Sequence, residues 1–366
     1  MEAEHLKEII QQFCIEGTIA AVNPLGNGLI NDTFLVNTQE TRTPDYVLQR
    51  INHHIFTDVE LLQHNIEAVT DHLRNKLLAE GVADVDRRVL RFVPTSAGKT
   101  YHFDGENYWR ISIYIADAIT VDEVTPQSSY DCGRAFGRFQ QQLIDLKEPL
   151  GETIPDFHNM ELRMSQLRQA VAHDVAGRVK EVTKELELIE AHADEICLAE
   201  RLHREGLLPK RICHCDTKVN NMLFDSTGNV LCIIDLDTVM PAYIFSDYGD
   251  FLRTAANTQP EDSPELDRIA FRRDIFEAFT RGYLDSTASF LTPVEREHLP
   301  FAVALFPFMQ AVRFLTDYLN DDTYYKTCYP EHNLIRTRNQ LRYFEEVEAT
   351  QNQMMKFVQS SLELMA

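Results

Sequence analysis

The feature that most restricts what this chain can fold into is a change of apolar period partway along it. Up to about residue 115 the apolar residues fall in short β-branched or aromatic runs, "TIAAVNP" (18–24), "DTFLVNT" (32–38) and "DYVLQRI" (45–51), separated by Gly, Asn and Pro. One segment breaks that pattern. "VELLQHNIEAVTDHLRNKLLAEG" carries helical spacing, with Thr57-Asp58 as its cap and Gly81 near its stop. "RVLRFVP" (88–94) reads as a further strand, and "KTYHFDGENYWRISIYI" as a hairpin turning at Asp104-Gly105-Glu106-Asn107. From Pro126 onward the apolar residues recur every three or four positions, which predicts helices, with a single later strand signal at 211–235. The expectation is an α+β protein: a small β-rich lobe over 1–115, then a larger helical lobe over 116–366.

At 366 residues the chain exceeds one ordinary domain, which suits two lobes. Its formal charge of −22 argues against nucleic acid or an anionic membrane as partner. Its seven cysteines are odd in number and scattered, so no disulfide framework is expected, and a reducing cytoplasm is the expected home. The N-terminal "MEAEHLKEIIQQF" is acidic and amphipathic, a short capping helix rather than a signal peptide. No apolar run approaches 18 residues, so no membrane span is expected.

"ICHCDTKVNNMLF" (212–224) concentrates reactive side chains and can be read two ways. Cys213, His214 and Cys215 suggest zinc, but an extended backbone turns His214 away from the cysteines, and no second ligand pair exists. Small buried hydrophobes describe Cys213, Cys215 and Cys232 better. Read instead as H-x-D-x-x-x-x-N, the stretch supplies His214, Asp216 and Asn221 with the spacing of a phosphoryl-transfer loop. "NVLCIIDLD" then forms a strand ending in Asp235, after a turn in which Gly228 can take positive φ. Pairing across that turn would bring Asn221 and Asp235 to one end of a hairpin, two hard oxygen ligands suited to Mg²⁺. Asp216 is the candidate base for an attacking hydroxyl.

The N-terminal lobe offers matching parts. "GNGLIND" joins two predicted strands, where a glycine loop would cover nucleotide phosphates; a plain Gly-Asn hairpin turn is the other reading. Gly26, Asn27, Gly28, Asn31 and Thr33 are its candidate contacts, with Asn31 standing where a third glycine would be. The third strand has no Lys, and Arg50 is its one cation, facing either the cleft or solvent. An acidic partner would come from Glu60 or Glu67. "YWRISIYIADAIT" leads into a hinge whose backbone at Tyr114 and Ala116 would hold an adenine.

"HCDTKVNNMLF…VLCIIDLDTVMPAYIFSDYGDFLRTAAN", with "GNGLINDTFLV", "YVLQRIN" and "IPDFHN", resembles the aminoglycoside/choline phosphotransferase family, which has a protein-kinase-like fold, and within it the N-acetylhexosamine 1-kinases. The resemblance implies that ATP and Mg²⁺ are used to phosphorylate the anomeric hydroxyl of GlcNAc or GalNAc. It implies Asp216 as base, Asn221 and Asp235 as metal ligands, and His214 and Asp250 as supports of the loop, with Asp247 in a similar role. "VRFLTDYLNDDTYYKTCYPEHN" resembles the sugar-binding part and suggests Arg313 and Tyr324 or Tyr325 as contacts. From the residues alone Arg313 either pairs with Asp317 at i+4 or reaches into a cleft. The two tyrosines either stack on a sugar or fill the core. One departure is Leu29, where such hexosamine kinases carry His, and it leaves the sugar open. The same chemistry allows another hexose, an aminoglycoside or choline as acceptor; an inactive nucleotide- or sugar-binding protein is a further alternative.

Overall fold

The computed structural model describes residues 3–26, 30–121 and 124–365. Asn27, Gly28 and Leu29 of the glycine-rich segment lie outside the described residues. The predicted N-terminal helix is present at Ala3–Ile10. Strands β1 (Ile19–Pro24), β2 (Asp32–Thr38), β3 (Tyr46–Ile51), β4 (His102–Phe103) and β5 (Tyr108–Ile113) form one antiparallel sheet in the order β1-β2-β3-β5-β4. The "RVLRFVP" segment does not become a strand. It joins the sheet only through a bridge from Phe92 to Ser112, and Val93 and Ile113 each donate one backbone bond there. Proline at 94 and the tight approach of Cys14 to its carbonyl end the pairing early.

Alternation assigns the two sheet faces. Val36, Tyr46, Leu48, Trp109 and Ile111 pack with Leu6, Ile9, Ile10 and Phe13 of the N-terminal helix. The opposite face carries Thr33, Gln49 and Arg110, aligned across β2, β3 and β5 by register. The predicted helix spans Val59–Ala79, and the Asp58 carboxylate accepts from the Leu61 N–H at its start.

By internal contacts the chain falls into two compact units, and each is discontinuous in sequence. One contains 1–120, 145–155 and 222–240; the other contains 121–144, 156–221 and 241–366. The sequence division at 115/116 is a single cut, whereas the sheet unit also takes in the hairpin Met222–Phe224/Val230–Ile233.

In the helical unit, helices Pro126–Leu143 and Arg273–Thr287 meet through glycines. A Cβ on Gly133 would lie 2.2 Å from the Phe279 carbonyl oxygen, and one on Gly282 would lie 2.0 Å from that of Tyr130. Only hydrogen fits at either place, so the helices approach backbone to backbone. Helix Leu299–Leu319 is strongly apolar, though Gln310 and Arg313 break the run. By length and composition it could cross a membrane, but 83% of its apolar window is buried against the rest of the protein, as a central core helix would be.

Candidate functional site

The loop after strand Arg211–Cys213 bends sharply at Cys215, which sits at φ +63°. A non-glycine residue in that region is strained, so neighbouring groups must hold it. They do so through two buried carboxylates on helix Phe245–Ala255. Asp247 accepts from the backbone N–H groups of His214 (3.0 Å) and Cys215 (2.8 Å), and from Gln140 Nε2 (2.8 Å). Gln140 is itself oriented by the Tyr283 hydroxyl at 2.6 Å, brought there by the glycine-tight helix contact. Asp250 accepts from the Thr217 N–H (3.1 Å) and from Arg253 Nε (3.0 Å). Burial pushes both acids up, offset at Asp250 by the Arg253 charge. His214 is fully buried against Phe136 and Phe139, and its Nδ1 accepts from the Asp216 N–H at 3.3 Å.

These clamps present Asp216 with its carboxylate partly open to water. Asn221 Nδ2 donates to the Asp216 carbonyl (2.8 Å) and carboxylate (3.0 Å), and Lys218 Nζ lies 2.9 Å from the same carboxylate. An acid at the tip of a rigid loop, flanked by an amide and a cation, can accept a proton and stay oriented while doing so. The structure thus brings Asp216, Asn221, His214 and Asp250 into one constellation. Lys218 joins them; motif spacing does not single it out, and its part shows only in the folded loop. Cys213 and Cys215 are buried, with thiol pKa values pushed well up by desolvation; burial also pushes Cys232 up to about 12.

In the sheet unit Arg50, open to cleft or solvent from its sequence, is half-exposed. It lies on the face of Tyr46 and Leu48, and its guanidinium pairs with Asp32, its register partner on β2. Neither candidate acid reaches it: Glu60 pairs with exposed Lys99, and Glu67 accepts from the Thr100 hydroxyl. The cation that faces helix Val59–Ala79 is Arg110 of β5, and it is 3% exposed. Arg110 donates to Gln49 on β3 (2.9 Å) and to Gln63 on the helix (3.3 Å), and its Nη2 lies 2.6 Å from Asp237 Oδ1. Asp237 stands two residues after Asp235, and its other oxygen accepts from Asn31 Nδ2 at 2.7 Å. Asn31 Oδ1 in turn accepts from the Asn52 N–H at 2.9 Å. Asn31, just past the glycine-rich segment, is therefore tied to the stretch that carries Asp235, which itself adopts φ +61°.

Elsewhere in this unit Gly26 takes φ +69°, and the Leu25 N–H donates to the Thr33 carbonyl. Thr33 Oγ1 accepts from Gln49. The Tyr114 N–H is spent on the Asp45 carbonyl, whereas Ala116 is exposed and its carbonyl accepts from Arg87.

Asp317 does not pair with Arg313. Its carboxylate accepts from the backbone N–H groups of Tyr324 (2.8 Å) and Tyr325 (3.0 Å) and from Asn333. It pins the loop after the apolar helix and leaves Arg313 to other neighbours. The Arg313 guanidinium lies over Phe157 (5.2 Å) and Tyr325 (5.7 Å) and donates to Gln310 Oε1 (3.2 Å). Tyr325 is half-buried against Phe314, and Tyr324 is exposed. His158 stacks on Phe157 and meets Phe306 edge-on, with Nδ1 3.0 Å from Ser246 Oγ.

Comparison with known proteins bears on the family and the fold. The sequence profile of the phosphotransferase enzyme family (APH) matches residues 21–285. Among solved structures, an aminoglycoside phosphotransferase from Alicyclobacillus acidocaldarius is similar over 97% of this chain and 96% of its own, at 13% identity and a TM-score of 0.63. A spectinomycin phosphotransferase in complex with ADP and spectinomycin covers 99% and 98%, at 13% identity and TM-score 0.54. Choline kinase from Streptococcus pneumoniae covers 93% and 98%, at 15% identity and TM-score 0.53. At these identities the likeness is one of fold: an α+β, protein-kinase-like fold with a small sheet lobe and a larger helical one.

Proposed function

Because the chain belongs to the phosphotransferase enzyme family, we propose that it transfers the γ-phosphoryl group of ATP to the anomeric hydroxyl of an N-acetylhexosamine, yielding the sugar 1-phosphate and ADP. The observation that carries this reading is the clamped Asp216 loop, with Asn221 and Lys218 on its carboxylate. Asp216 accepts the acceptor's hydroxyl proton as the new O–P bond forms and the bond from the γ-phosphorus to the bridging oxygen breaks. Lys218 and Asn221 hold the Asp216 carboxylate in place for that transfer. Arg110 and Asn31, joined through Asp237, hold the phosphate-side backbone rigid.

Asn221 and Asp235 are the proposed Mg²⁺ ligands, and their donor set fits: one amide oxygen and one carboxylate, both hard. The Asn221 amide nitrogen is spent on Asp216, so its oxygen is the proposed ligand atom. Hairpin register supports the pairing, since Met222 lies opposite Ile233, Asn221 directly precedes one strand, and Asp235 follows the other. When bound, Mg²⁺ supplies charge neutralisation on the phosphates. Gly26, Asn27, Gly28, Asn31 and Thr33 are proposed around the phosphates, and Ala116 at the adenine. The Tyr114 N–H, already donated within the protein, is a weaker adenine contact. Arg313, Tyr324 and Tyr325 are proposed on the acceptor.

Purified protein with ATP, Mg²⁺ and GlcNAc should release ADP, and ³¹P NMR should place the new phosphate on C1. If the rate does not exceed that of an Asp216→Asn variant, the enzyme reading fails. Faster turnover of choline, an aminoglycoside or another hexose would replace the hexosamine with that acceptor.

A further inference from the structure

Around Phe157 two arginines, Arg163 and Arg313, gather without a salt bridge among the described residues, although the protein as a whole carries −22. Arg163 donates to the carbonyl oxygens of Phe157 (2.6 Å) and Asp156 (3.2 Å) and to Gln166 Oε1 (2.9 Å), and its Nε is buried without a partner. Arg313 lies over the ring of the same Phe157 and makes one hydrogen bond among the described residues, to the neutral Gln310. Neither forms an ion pair among the described residues. Two nearby acids are committed elsewhere, Asp317 to the tyrosine loop and Glu261 to Arg253, while Asp156, whose carboxylate accepts from Asn159, offsets part of the Arg163 charge. Burial and then the Arg313 charge push the Arg163 pKa down to about 10 and outweigh the opposing Asp156 charge, as expected of two cations held close. Arg163 also sits near the positive N-terminal end of helix Met160–His173, which adds to the field.

A chain of contacts leads from this cluster to the catalytic loop. His158, next to Phe157, contacts Ser246, and Ser246 adjoins Asp247, which clamps the backbone leading into Asp216. Arginine guanidinium groups with unspent N–H donors, half-buried beside aromatic faces, are well matched to an oxyanion. An ammonium placed there would meet repulsion and desolvation together.

We propose that the acceptor bears a negative charge: an N-acetylhexosamine carrying a carboxylate, which Arg313 grips while Arg163 supplies the surrounding positive field. The same pair turns away cationic alcohols of the choline and aminoglycoside kind. This rests on the kinase reading above and narrows its substrate class.

Three sugars that share one ring test it: 2-acetamido-2-deoxyglucuronic acid (anionic), N-acetylglucosamine (neutral) and glucosamine (cationic). The acid should exceed N-acetylglucosamine in kcat/KM by about tenfold, one charge-assisted hydrogen bond's worth, mainly through a lower KM. Glucosamine should fall below both. Arg313→Gln should bring the acid-to-neutral ratio to near one, and Arg163→Gln should lower it. Raising the salt should shrink it. A wild-type ratio of one or less, or a ratio unmoved by both substitutions, overturns the proposal. If no sugar yields ADP, the kinase reading falls by itself. Calorimetric titration of the Asp216→Asn protein with the same acid and N-acetylglucosamine then decides the anion site. Tighter binding of the acid that is lost with Arg313→Gln upholds it, and equal binding overturns it.

Discussion

Replacing Arg110 with Met tests whether the sheet unit depends on a buried ion pair. The side chains of Arg110 and Asp237 are 3% and 5% exposed, so water cannot screen or replace their contact. Asp237 Oδ1 lies 2.6 Å from Arg110 Nη2 but accepts no well-aligned hydrogen bond, so its compensation is chiefly ionic. Met matches the stem of Arg but leaves the Asp237 carboxylate buried, with the Asn31 amide as its remaining donor among the described residues. Stranding one partner of such a pair costs on the order of 3–5 kcal/mol, and the surviving Asn31 bond sets the expectation at the lower end, about 3 kcal/mol. That is roughly 6–12 °C in melting temperature for a unit of this size. Urea unfolding of the single variant, Asp237→Leu and the double variant closes a thermodynamic cycle. The double variant should recover most of the loss, because an apolar pair of similar volume carries no charge to desolvate. The Arg110 variant should also raise the KM for ATP, because Asp237 holds Asn31 beside the glycine-rich segment. A single-variant loss below about 1 kcal/mol, the range of a surface pair, would refute the buried-pair argument.

Asp247→Asn should lower kcat more than it changes either KM, since its NH₂ group must face the N–H of either His214 or Cys215. The expected stability loss is about 1–3 kcal/mol, and unchanged steady-state kinetics would count against the clamp. His158 gives a pH dependence. Desolvation, then the charges of Arg313, Arg163 and Arg253, push its pKa well below the usual 6.5. Below pH 6.5 the unfolded chain therefore binds a proton that the folded chain does not. Stability falls as pH drops, by at most about 1.4 kcal/mol per pH unit. Unfolding free energies at pH 5 and 7 should differ less for His158→Gln than for the parent; identical differences would exclude His158 as the source.

Much of the chain is legible in the sequence because short-range physics decides it. Two-residue alternation marks β1, β2 and β3, and Asp58 and Gly81 bracket a helix whose cap needs no distant partner. The turns at Asp104 and Asp225 are closed by their own side chains. The loop from His214 to Asn221 is likewise local, with Asn221 bonding Asp216 five residues back. Alternation also shows that Arg50 and Gln49 face opposite ways, but it does not say which face receives the helix. Packing decides that. Once the N-terminal helix covers Tyr46 and Leu48, helix Val59–Ala79 has only the Gln49 face, and the cation that meets it is Arg110, sixty-one positions from Gln49. The same holds for Asp317 and Arg313: one helical turn apart they form a plausible pair. The folded loop supplies Asp317 with two backbone N–H donors that a flexible guanidinium cannot match at less entropic cost. Periodicity is a property of neighbours along the chain, whereas the partner of a buried charge is chosen by whatever else the fold brings within hydrogen-bonding reach.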